Sequence, residues 1–360
     1  MGSEMCIRDR VWCVALPLVE VMARGLEGGG RSMKYLVTGP TGFMGPYLVR
    51  ELLSAGHTCR CLVRPTSRKD MLDGPGVEFV EGDVTRAQTL RGVARGLDGV
   101  FHLATLGHMS NFAVAEDAFE AVNVRGTLNV MEEALRARVG RVVHCSSVAA
   151  MGICPESPAD EETPCRPHHP YGRSKLRAEQ EVLRMVSERG LPALIVRFSM
   201  VYGPGDPRDL LRLTRLAKKG LFPKVGSRPK LTPLIHVQDA VRGLILAMEK
   251  GRPGQVYLLT NERSEPFDEI RKILQGALGV RRPPLYVPER AALWGASFVE
   301  WAFGLLGKAP PVTRKNIEST LADRVFSIRK AKRELGFAPR IDVRQGLAET
   351  VRWYKEQGWV

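Results

Sequence analysis

Apolar residues follow two rhythms along this chain. Compact runs rich in Val, Leu, Ile and Phe at 34–38, 58–63, 77–80, 99–104, 141–146 and 193–198 have the length and composition of strands. Between them, 46–55, 115–137 and 175–189 place apolar side chains three and four apart, the repeat of a helix with one buried face. Apolar strands alternating with such helices predict a parallel sheet covered on both faces, an α/β doubly wound fold.

After residue 200 the alternation weakens, and YGPGDP at 202–207 marks a departure from the sheet. Residues 234–250 and 255–259 read as one more helix and strand returning to it. The expected organisation is therefore a Rossmann domain at 33–200, rejoined by 234–260, with 201–233 and 261–360 forming a smaller α/β substrate lobe that closes the site. Within that lobe 291–306, AALWGASFVEWAFGLL, is apolar apart from Glu300. It is short of the roughly 20 residues that span a bilayer. It reads first as a buried helix; a lid over a lipophilic substrate and a peripheral membrane contact are the other readings. Residues 1–32 stand apart as a leader. MGSEMCIRDR at 1–10 reads as translated sequencing-adapter sequence, Glu20 interrupts the short apolar stretch after it, and Met33 is the expected native start.

With 360 residues, 44% hydrophobic and 26% charged, the chain has the make-up of an ordinary globular protein with a substantial core. A net charge of +14 raises the question of nucleic acid, but the basic residues are scattered, as at 136–141 and 208–219, and no nucleic-acid module is present. A small-molecule substrate is the expected partner, and an anionic cofactor would gain from the positive field. The seven cysteines form no CxxC pair and are odd in number, which suits a reducing cytoplasm and gives no metal site.

The first chemistry lies directly after the first strand, where TGPTGFMG at 38–45 opens a helix. Glycines at this spacing let the chain turn tightly and bring backbone N–H groups and a helix N-terminus against a pyrophosphate, so a dinucleotide is the expected ligand. The second is Tyr171-Gly-Arg-Ser-Lys175. On a helix, residues four apart share a face, and an ammonium beside a phenol stabilises the phenolate and draws its pKa down from about 10. Strand-like 141–145 ends in Ser146 and Ser147, where ligands bind in doubly wound sheets, and a hydroxyl there can hold a substrate oxygen beside the phenol.

Together these motifs resemble the extended short-chain dehydrogenase/reductase family, also called the NAD-dependent epimerase/dehydratase family. The resemblance covers 33–360 and rests on TGPTGFMG, Gly82-Asp83-Val84, His102-Leu103-Ala104, Asn123 to Thr127, Ser146-Ser147, YGRSK, VYGPGD at 201–206 and Ile235 to Asp239. It implies hydride transfer to or from a nicotinamide, with Ser147 polarising the reacting oxygen, Tyr171 as general acid/base, and Lys175 tuning Tyr171 and binding the nicotinamide ribose. The implied cofactor contacts are Gly39, Thr41, Gly42, Phe43, Met44 and Gly45 in the turn, Asp83 and Val84 at the adenine, and Leu103, Ala104 and Thr105 beneath the dinucleotide. Ser146, Phe198, Tyr171 and Lys175 are further candidates. Asn123 is either another contact or an amide tying a helix to a strand.

Arg64 follows the second strand where a carboxylate would select NAD, so NADP is favoured over NAD. Nucleotide-sugar members of the family carry an arginine near the position of Thr232-Pro233, and Phe198 and Met200 also depart from their pattern. The resemblance is strongest to 3β-hydroxysteroid and sterol dehydrogenases, through PVTR at 311–314, the apolar stretch before it and 326–336, and to dihydroflavonol-reductase-like proteins, through Leu62-Val63-Arg64 and Ser146-Ser147, which implies an apolar alcohol or ketone. A sugar epimerase or dehydratase and a non-catalytic NAD(P) sensor are the alternatives, and the family suggests a homodimer.

Overall fold

Alternate residues of each central strand face opposite sides of one sheet, and both sides are dry. The computed structural model describes residues 31–72, 74–107, 115–154, 157–305, 310, 313–321 and 323–360. The first part runs β1 (Lys34–Thr38), α1 (Gly45–Ser54), β2 (Thr58–Val63), β3 (Val77–Glu81), β4 (Gly99–His102), α2 (Glu116–Phe119), α3 (Gly126–Ala137), β5 (Arg141–Ser147), α4 (Pro170–Arg189) and β6 (Ala193–Phe198). It continues with β7 (Met200–Tyr202), α5 (Asp209–Lys219), β8 (Pro223–Val225), β9 (Leu231–Thr232), β10 (Leu234–His236), α6 (Val237–Lys250) and β11 (Val256–Leu259). The remainder is β12 (Glu265–Pro266), α7 (Phe267–Leu278), β13 (Leu285–Val287), α8 (Glu289–Leu305), α9 (Arg314–Leu321), α10 (Arg329–Leu335) and α11 (Val343–Glu356).

Seven parallel strands form the sheet in the order β3-β2-β1-β4-β5-β6-β11. Val37, Phe101, Val143 and Val196 pack with Leu48 and Leu52 of α1 and with Val241 and Leu244 of α6. Their neighbours Leu36, Val100, Val142 and Ile195 pack on the other face with Met131 of α3 and Val182 of α4. Burial on both faces is why these strands read as continuous apolar runs. The winding direction reverses between β1 and β4, which opens a crevice at the carboxyl ends of these strands.

Three details depart from the expected elements. The 115–137 helix contains a π-helical turn at Glu120–Arg125. The 234–250 segment is not one helix: β10 pairs with β7, and His236 then starts α6 by accepting from the Gln238 N–H. The buried-helix reading of 291–306 is overturned for the part the structure describes. In α8 only Ala296 is buried, while Trp294 is 78% exposed, Phe298 65%, Trp301 61% and Leu305 71%. The helix is apolar on more sides than the described residues cover. No helix among the described residues is long and apolar enough to cross a membrane.

Beyond the sheet, α5, α7 and α11 share a second core containing Leu210, Ile270, Leu274, Leu347 and Val351. Helix α10 lies instead against α6 and β11, with Ala331 and Leu335 in the core of the sheet. Residues 1–30 of the segment expected as a leader at 1–32, including Cys6 and Cys13, lie outside the described residues, as do residues 306, 311 and 312.

Candidate active site

β1 delivers the glycine turn onto the end of β4. Gly39 has φ +70°, and a Cβ there would lie 2.8 Å from the Ala104 nitrogen; one at Gly45 would lie 2.0 Å from the Pro40 carbonyl oxygen. Only glycine tolerates both approaches. The Gly42 N–H donates to Gly39 O at 3.1 Å and the Gly45 N–H to Gly42 O at 3.2 Å, which fixes the turn. No side chain caps α1 at Met44, so the first-turn N–H groups and the positive end of the helix dipole suit a pyrophosphate. Thr41 is exposed on this turn, while Phe43 and Met44 are half-buried against the core.

A hydrogen-bond chain underpins the same crevice. Thr127 Oγ1 donates to Asn123 O at 2.7 Å, so it accepts from His102 Nε2 at 2.9 Å. His102 Nδ1 then accepts from Thr38 Oγ1 at 2.7 Å, and Thr38 Oγ1 accepts from the Ala104 N–H at 3.2 Å. Burial keeps this imidazole neutral, with its pKa lowered to about 3. The Leu103 N–H also donates to Thr38 O, at 3.1 Å. Leu103, Ala104 and Thr105 thus pass directly beside the glycine turn.

At the other end, Arg64 is exposed and follows β2. The Asp83 carboxylate accepts from the Thr85 N–H at 2.8 Å and hydroxyl at 2.7 Å. Burial raises its pKa, but those bonds, with Arg64 and Arg86 nearby, hold it below the ordinary value. Val84 is buried beneath Gly126, and its carbonyl accepts from Asn129 Nδ2 at 2.8 Å.

The reactive pair begins α4. His169 caps the helix by accepting from the Tyr171 N–H at 3.2 Å, and Pro170 suits the first turn. The Tyr171 phenol lies close enough to the Ser147 side chain for that hydroxyl to act on its pKa. Lys175, 2% exposed, donates from Nζ to the Cys145 carbonyl at 2.5 Å, and burial brings its pKa down to about 8. The expectation of a phenol lowered by that ammonium is not met. Burial raises the Tyr171 pKa and outweighs the Ser147 hydroxyl and the nearby Arg208, which act to lower it.

Other candidates brace this pair. Asn123 Oδ1 accepts from the Thr105 hydroxyl at 3.0 Å and the Leu106 N–H at 2.8 Å; its Nδ2 donates to Leu106 O at 3.1 Å and Ser174 Oγ at 2.9 Å. It ties the segment after β4 to α4, and its amide hydrogen bonding is spent within the protein. Ser146 donates to Glu179, which also grips Arg197 through bonds of 2.7 and 3.1 Å. Phe198 is 4% exposed and sits in the sheet core.

Sequence reasoning gave Arg208 no role. Asp206, 1% exposed, holds its guanidinium at 2.8 Å, 5.1 Å above the ring of Phe43 in the glycine turn. Tyr47 of α1 donates to Pro204 O at 2.8 Å, so the 203–208 segment is pinned to the cofactor half at two points. VYGPGD located the segment, but nothing in the linear order places Arg208 over Phe43.

The chain is similar to known proteins over most of its length. A family model described as the NAD dependent epimerase/dehydratase family matches residues 35–259. Sterol demethylase protein B of Methylococcus capsulatus is 31% identical, over 91% of this chain and 100% of its own length. A dTDP-glucose 4,6-dehydratase of Actinoplanes sp. is 30% identical, over 90% of this chain and 98% of its own. The crystal structure of a dTDP-glucose 4,6-dehydratase from Streptomyces venezuelae with NAD bound superimposes with a TM-score of 0.75 at 28% identity, covering 91% of this chain and 98% of that one.

Proposed function

Because the chain belongs to the NAD-dependent epimerase/dehydratase family of extended short-chain dehydrogenases/reductases, an NAD(H)-binding enzyme family, we propose that it interconverts a secondary alcohol and a ketone on an apolar substrate. The observation that carries this reading is the Tyr171 phenol set against the Ser147 side chain at the end of β5, with Lys175 buried one turn further along α4. When bound, the nicotinamide gives or takes the hydride. Ser147 holds the reacting oxygen, and Tyr171 moves the proton between its phenol oxygen and that atom. Lys175 holds the nicotinamide ribose and keeps positive charge near the phenol. Burial raises the Tyr171 pKa, so the phenol carries the proton that it would give to a ketone oxygen in the reductive direction.

NADP is our preferred cofactor, since exposed Arg64 offers a guanidinium to a 2′-phosphate and no carboxylate follows β2. We further read the enzyme as a cytoplasmic homodimer joined through helices near Tyr171. Residues 33–200 with 234–260 are taken as the cofactor domain and the rest, from 201, as the substrate lobe.

A second reading, a nucleotide-sugar epimerase or dehydratase, has its own support. The lobe contains a cavity of about 280 Å³ whose lining includes Lys224, Arg228, Lys230 and Lys272, cations suited to a diphosphate, although Asp268 and Glu269 offset them. Screening steroids, aromatic ketones and nucleotide sugars with both cofactors separates the two. Net change in nicotinamide absorbance supports the first reading; product formed without it supports the second. Tyr171→Phe is expected to bind cofactor normally and lose turnover by about 10²-fold or more. Unaltered turnover would remove Tyr171 from the mechanism.

A further inference from the structure

Helix α8 exposes a regular stripe. At about 100° per residue, Trp294, Phe298, Trp301 and Leu305 fall on one line, and all four stand more than half exposed. Arg290 lies one turn before Trp294 on the same side. Glu289 is turned towards Gly226, and Glu300 falls away from the stripe. The solvent face of α8 from Arg290 to Leu305 therefore carries apolar groups, glycines and one cation, with no carboxylate.

The surface leading into α8 has the same character. β13 pairs with β8 and exposes Leu285 and Tyr286, 50% and 55%. Beside it, Arg282 donates to the Lys219 carbonyl at 3.2 Å, which gathers exposed Lys218, Lys219, Arg281 and Arg282. From Lys218 to Leu221 and from Arg281 to Tyr286 there is no acidic residue.

We propose that this face docks on an anionic lipid surface, with the α8 stripe entering the interfacial layer and the basic cluster lying over the headgroups. Tryptophans on one face of a surface helix beside clustered cations suit that boundary, where an aromatic body meets lipid and a polar edge meets water. A second copy of the chain fits less well. A two-fold contact is self-complementary, so this one-signed cluster would face its own repeat with no carboxylate to answer it. The inference is independent of which reaction the active site performs.

Flotation with vesicles tests it. The protein is expected to bind phosphatidylcholine vesicles containing phosphatidylglycerol at least ten times more tightly than pure phosphatidylcholine, with the difference lost at high salt. Trp294→Ser with Phe298→Ser should abolish binding, and Lys219→Glu with Arg281→Glu should remove the lipid-charge preference, both with thermal midpoint and cofactor affinity unchanged. If the serine variant unfolds, the glutamate variant still decides. No vesicle binding overturns the proposal. So does self-association of the parent protein that the α8 substitutions abolish, because the stripe is then covered by a second copy.

Discussion

Removing the Glu179 carboxylate should be among the costliest single changes in the cofactor domain. Glu179 is 1% exposed and Arg197 5%, and three bonds of 2.7 to 3.1 Å join them. Glu179→Ala strands a guanidinium in the sheet core and deprives the Ser146 hydroxyl of its acceptor. Breaking one side of a buried pair costs about 3–5 kcal/mol, a large share of the roughly 5–15 kcal/mol that holds a typical domain folded. By contrast, the exposed Arg184–Glu188 pair is solvated and screened by salt and contributes little. Glu179→Leu combined with Arg197→Met should recover most of the loss, since a buried pair replaced by apolar groups of similar size no longer leaves a lone charge. Urea unfolding followed by circular dichroism, comparing midpoints at constant slope, gives each value. A loss below about 1 kcal/mol for Glu179→Ala, or a double variant no better than the single one, would refute the assignment of this pair as a coupled buried unit.

Arg64→Glu should weaken NADP binding by tenfold or more while changing NAD far less, as read by fluorescence titration; equal weakening would show that Arg64 does not meet the 2′-phosphate. Asn123→Ala should destabilise the fold by about 2–4 kcal/mol, because partners on both sides of the crevice lose their bonds. Its cofactor affinity should fall less than tenfold; a hundredfold fall with unchanged stability would make Asn123 a direct contact. His144 is fully enclosed, both its ring nitrogens lack a hydrogen-bond partner among the described residues, and burial holds its pKa well below 6.5. The unfolded chain therefore takes up a proton below pH 6.5 that the folded protein refuses, and stability falls as pH drops. His144→Leu should gain on the parent protein by up to about 1.4 kcal/mol per pH unit below 6.5. A stability difference that stays constant from pH 7.5 to 5 would contradict the buried-neutral assignment.

Local order along the chain was enough to reveal the first six strands, the glycine turn and the Tyr171–Lys175 spacing. Strand burial, tight turns and helical phase act between residues close in sequence, so they leave local marks. The last sheet strand was equally readable, but not the short β10 at 234–236, which pairs with β7 before α6 begins. Contacts between distant residues left no such mark. Ser146 and Ser147 are adjacent hydroxyls, yet the sheet sends one to Glu179 and the other to Tyr171. Arg208 reaches Phe43 only because the 203–208 segment folds back over the turn, and the outer face of α8 is uncovered among the described residues. The raised Tyr171 phenol belongs to the same class. Its protonation depends on how much water the assembled crevice excludes, and no spacing along the chain records that.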